Sequence, residues 1–173
     1  MYDPIQEFIE DYGELKKFLI TNNQISLENT FGHHMRKVML LSCASYFETE
    51  IQNILISFVE QNSSDERVLS FLKHKAIARQ YHTYFTWDGN NVNSFLAMFG
   101  NEFKEKVKKE IDADPEIKTE MKAFLEIGNE RNKMVHENFL LYKLDKTFDE
   151  ITDLYEHADH FISFLKKQFG TVD

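Results

Sequence analysis

Residues 114–136 read DPEIKTEMKAFLEIGNERNKMVH, and this stretch decides the fold class. Asp114 suits a helix N-cap and Pro115 the first helical position, so a helix is predicted to start near residue 115. Along it, strides of three and four pick out Phe124, Ile127, Arg131 and Met134 as one row. A permanently charged guanidinium therefore stands where a helical bundle would place a core residue, and burial without a partner would be costly. At about 100° per residue, Asn132 and His136 share the neighbouring face, with Asn129 and the apolar Leu125 on the same flank.

Helical spacing continues on both sides of this segment. Residues 4–21 place Ile5, Phe8, Ile9, Tyr12, Leu15 and Leu19 three or four apart, and Thr21 to Gln24 reads as the loop that ends them. A long central helix is predicted from about Ser26 to about Gln61, apolar on more than one side. One of its seams runs Leu41, Ala44, Glu48, Ile51, Leu55, Phe58, and the carboxylate in it predicts an ion pair with Arg131. After a break at Asn62 to Glu66, Ser63 and Glu66 have capping-box spacing for a helix reaching about Phe85. Trp87-Asp88-Gly89-Asn90-Asn91 is the strongest turn signal, followed by a short apolar helix within Val92 to Phe99 that Gly100 closes. A charged helix over Asn101 to Ile111 precedes the opening segment. An amphipathic helix from about Lys146 to Phe169 follows it, with Phe148, Ile151, Tyr155, Ala158, Ile162, Leu165 and Phe169 on its stripe. The expectation is one all-α domain over residues 1–173.

Composition agrees with that class. Two Pro and six Gly in 173 residues leave few helix breakers. Sixteen Phe, seven Tyr and one Trp supply rings enough for a core and for a partner surface. Glu7, Glu10, Asp11 and Glu14 break any apolar signal core at the start, and no stretch is long enough to span a bilayer. Cys43 is the only cysteine, so an internal disulfide is excluded and a cytoplasmic location is expected, with no membrane partner. A net charge of -9 argues against a protein that coats nucleic acid through a general field, but it permits a nuclease with a local basic site.

Arg131-Asn132-Lys133-Met134-Val135-His136 resembles the HEPN signature, an arginine usually followed by a polar residue and then a histidine four to six positions on. The wider pattern is more specific. Tyr46-Phe47-Glu48 lies in a long helix, and the loop from Trp87 to Asn93 runs on to Phe99-Gly100. The Arg-Asn to Val-His helix and a last amphipathic helix complete it. Together these resemble the RiboL-PSP-HEPN class over roughly residues 25–170. The resemblance implies a HEPN-like helical bundle, with a long central helix and a short extra helix after the Trp-Asp-Gly-Asn loop. It further implies a homodimer acting as a metal-independent endoribonuclease on an RNA substrate, often in toxin or antiviral systems with an antitoxin or defence-system partner protein. By position the catalytic roles fall on Arg131 and His136, with Asn132 and Glu48 supporting. HEPN toxins paired with nucleotidyltransferase antitoxins carry a tyrosine two places after the histidine. Asn138 stands there instead, so control by nucleotide transfer onto that residue does not carry over.

The chemistry suits these side chains. RNA can supply its own 2′-hydroxyl as nucleophile, leaving proton transfer for a histidine and charge stabilisation at phosphorus for an arginine fork. The competing reading is a buried Arg131–Glu48 pair with His136 an ordinary interface histidine, in a non-catalytic module whose groove holds a protein or nucleotide ligand. No cofactor is expected. His33, His34, His74, His82, His157 and His160 raise metal binding, but no Glu lies three residues before any His, as carboxylate-bridged di-iron bundles require. Cys43 sits in an apolar run and reads as an inert core thiol. Lys104, Lys106, Lys108 and Lys109 alternate with Glu102, Glu105 and Glu110, as on a solvated helix face.

Overall fold

In the computed structural model, residues 4–171 are described; residues 1–3 and 172–173, the extremities of the expected 1–173 domain, lie outside them. The described chain forms eight α-helices and no strand. They are α1 Pro4–Thr21, α2 Ile25–Asn62, α3 Glu66–Leu72, α4 Tyr81–Tyr84, α5 Asn93–Ala97, α6 Asn101–Ala113, α7 Pro115–His136 and α8 Phe148–Phe169.

The all-α bundle has α2 as its axis. The α7 and α8 helices pack along each other and against α2, which also carries α1. Because α2 is covered on several sides, it buries Met39, Leu40, Cys43, Ala44, Phe47, Ile51, Ile54 and Leu55, which accounts for its broad apolar surface. At the centre, Phe47 meets Phe124 of α7 at 5.9 Å and Tyr155 of α8 at 5.7 Å between ring centroids, and Phe124 meets Phe161 at 5.7 Å. Such ring contacts add to the burial of large apolar areas. No helix among the described residues is long and apolar enough to cross a membrane.

Two expected boundaries change. The helix after the first break does not run unbroken to Phe85. Past Leu72 the chain makes a π-helical turn, Lys73–Ile77, and Arg79 takes a left-handed φ of 62° before α4. The cause is burial: α3 buries no residue, whereas Ile77, Tyr81 and Tyr84 are all buried, and the widened turn shifts the helical register to bring them inward. Nor do Ser63 and Glu66 form a capping box. Asp65 is the N-cap, its carboxylate accepting from the Arg67 amide at 2.9 Å. A capping box does open α8, where Thr147 and Glu150 satisfy each other's backbone amides. Asp114 caps α7 with Pro115 in the first turn, as its sequence predicts.

Candidate functional site

The motif occupies the last turns of α7. Arg131 and Asn132 are half-buried, Met134 is fully buried, and His136 is exposed as the final residue of the helix. Five residues along a helix amount to about 7.5 Å of rise and about 140° of rotation, so Arg131 and His136 leave the axis in different directions. Asn132 narrows that gap. The Arg131 guanidinium donates through Nη1 to Asn132 Oδ1 at 3.1 Å, which turns it toward the row that Asn132 shares with His136.

The expected ion pair between Arg131 and Glu48 is not formed. Glu48, half-buried on α2, instead accepts from Gln52 Nε2 at 3.3 Å. The two charges nevertheless act on one group. Burial drives the Tyr81 hydroxyl pKa far above its ordinary value, the Glu48 carboxylate raises it further, and the Arg131 guanidinium pulls it back. Tyr81, on the short α4, thus stands in the field of both.

Sequence reading missed the device that holds this neighbourhood. The Tyr81 ring lies 5.1 Å from Trp87, and Trp87 lies 5.7 Å from Phe124 of α7. The Trp87 indole donates to the His82 carbonyl at 3.1 Å, and its six-membered ring rests on Gly128, where an added Cβ would overlap it. Gly128 is buried one turn before Arg131 and Asn132, so the Trp loop is keyed into the motif helix near its C-terminal end. The available signal was a lone glycine inside a long helical pattern.

A second missed group joins the motif helix to the segment that follows it. Glu130 accepts from Lys133 at 2.7 Å and from the Tyr142 hydroxyl at 2.6 Å. Burial pushes the Glu130 carboxyl up, but those two hydrogen bonds and the nearby lysines outweigh it and hold the carboxyl below its ordinary range. Asn138 has a turn-forming role: its Oδ1 accepts from the Leu140 amide at 3.1 Å.

The remaining candidates sit elsewhere. Cys43 is fully enclosed in the core. His33 Nδ1 lies 3.0 Å from Arg36 Nη2, and His74 Nδ1 lies 2.8 Å from the Ser70 carbonyl. His160 lies 3.3 Å from Glu120, and Lys104 lies 3.3 Å from Glu105 on α6. No group of three or more His, Cys, Asp or Glu side chains is gathered in a metal-binding arrangement among the described residues.

Compared with known families, residues 6–171 match the family model described as RiboL-PSP-HEPN, which adds α1 to the span read from the sequence. No curated protein and no solved structure matches the chain.

Proposed function

The chain belongs to the RiboL-PSP-HEPN family, and from that premise we propose that it is an endoribonuclease acting on single-stranded RNA without a metal. The observation that carries this reading is the end of α7. An arginine is steered by Asn132 toward the side of an exposed histidine, and neither is sealed in the core as a non-catalytic module would have them.

The His136 imidazole takes the proton from a ribose 2′-hydroxyl, whose oxygen attacks the adjacent phosphorus. Arg131 holds the phosphorane oxygens with its forked donors. The bond to the 5′-oxygen breaks, that oxygen takes a proton from water or from the imidazole of a second copy, and the products are a 2′,3′-cyclic phosphate and a 5′-hydroxyl. A flexible strand reaches the in-line geometry more easily than a duplex. The protein works as a cytoplasmic homodimer in a toxin or antiviral defence system, restrained by a partner protein such as an antitoxin.

The test is purified protein with single-stranded RNA in EDTA. Cyclic-phosphate ends should appear, and DNA, which lacks the 2′-hydroxyl, should survive. His136→Ala should lower cleavage by about 10²-fold or more with helical circular dichroism intact. Arg131→Lys should be severely impaired because an ammonium cannot offer the fork. Undiminished cleavage by His136→Ala, or strict dependence on a divalent metal, would overturn the mechanism. Growth arrest on expression of the intact chain, relieved by His136→Ala, tests the toxin role.

A further inference from the structure

His136 ends a helix, is exposed, and its imidazole makes no hydrogen bond to any described residue, so its place is set by the backbone on either side. On one side is α7. On the other is a strap, residues 137–147, which has no regular structure and crosses to α8.

The strap is fastened by two successive cations of α2. Lys37 has 0 % of its surface exposed, although an ammonium is among the groups least often enclosed. Its Nζ donates to the Phe139 carbonyl at 2.8 Å and to the Leu140 carbonyl at 3.3 Å, and it lies 5.4 Å from the Phe139 ring centroid. Arg36 donates through Nη1 to the Lys146 carbonyl at 3.1 Å, near the strap's far end. These strap carbonyls have no helical amide to meet, and charged donors satisfy them strongly. Between the two anchors, Tyr142 is tied to Glu130 of α7. At the near end, the Asn138 carbonyl accepts from the Leu141 and Tyr142 amides at 2.9 Å each, folding the strap tightly from two residues after His136.

We infer that Lys37 is a positioning residue for His136: with Arg36 it clamps the α7–α8 strap and so fixes where α7 ends and where the imidazole stands. The catalytic meaning of this clamp rests on the nuclease reading of His136 given above; the clamp itself does not.

The experiment compares the full chain with Lys37→Met, which keeps an apolar stem of similar length and leaves both carbonyls unmatched. Amide hydrogen exchange at Leu140, Leu141 and Tyr142 should quicken at least about tenfold, with the core amides of α2 and α8 protected as before. The His136 imidazole proton resonance should shift or broaden. RNA cleavage should lose about 10²-fold in kcat with little change in KM, and Lys37→Gln, which restores one donor, should recover part of the loss. Unchanged strap exchange, protection lost equally in every helix, or an effect on KM alone would overturn the inference. Should Lys37→Met fail to fold, Arg36→Met is read in the same way at the Asp145 to Thr147 amides, with the same outcomes deciding. If the unaltered chain cleaves no RNA, the nuclease reading fails by itself, and exchange and the His136 resonance still decide the clamp.

Discussion

Gly128 and Glu130 flank the motif, and each gives the site a constraint that a residue-by-residue reading can test. Gly128 has no side chain because Trp87 occupies the space, so Gly128→Ala forces the indole or the helix to move. Overpacking of this kind costs about 1–3 kcal/mol. Urea unfolding should show that loss, and cleavage should fall with it, since the displaced helix carries Arg131 one turn on. A neutral Gly128→Ala would mean the Trp loop is not keyed there. Glu130 has a folded pKa below its unfolded value, so its stabilisation is present above the unfolded value of about 4.3 and is lost as pH falls through the folded one. Glu130→Gln should therefore be less stable at neutral pH and show a flatter acid limb when urea midpoints are followed down through the carboxylate range. Parallel pH curves for the two proteins would refute this.

At the scale of elements, local chemistry that acts within one turn was legible. The Asp114 cap and Pro115 announced α7, and the periodicity of α1, α2 and α8 placed their extents within two residues. The π-helical turn at Lys73–Ile77 was not legible, because no glycine or proline marks it. It answers to the burial of Tyr81 and Tyr84 against a core assembled from distant segments. The start of α3 shows a finer failure, since Ser63 had the right spacing but Asp65 lies nearer the helix. Ser63 merely accepts from the Asp65 amide at 3.4 Å, a long contact, whereas Asp65 holds the Arg67 amide. Asp65→Ala should accordingly lower the midpoint of urea unfolding, and Ser63→Ala by only a small fraction of that shift; the reverse order would restore the capping box to Ser63.

At the scale of the molecule, the conflict between charge and seam did mark one neighbourhood, because a guanidinium and a carboxylate in core rows both act on Tyr81. It did not yield the pairing itself, since Gln52 and Asn132, each within one turn of its partner, satisfy the charges locally. What the single chain leaves exposed next to His136 then bears on assembly. Val135 is 54 % exposed, Leu140 69 % and Leu141 77 %, and all three lie within five residues of the proposed proton carrier. Large apolar side chains grouped at the rim of a polar site are what a two-fold interface would cover, and a two-fold contact there would bring two motif helices to one cleft. The unaltered chain should therefore run as a dimer by light scattering at micromolar concentration. Leu140→Glu combined with Leu141→Glu should give a monomer with its helical signal retained, because charges facing each other across the axis repel and lose solvent. RNA cleavage should fall in the same variant, and mixing it with excess His136→Ala protein should not restore it if both chains must meet through this surface. A dimer that survives the double substitution would move the interface elsewhere, and a monomeric parent would remove the second imidazole from the reaction.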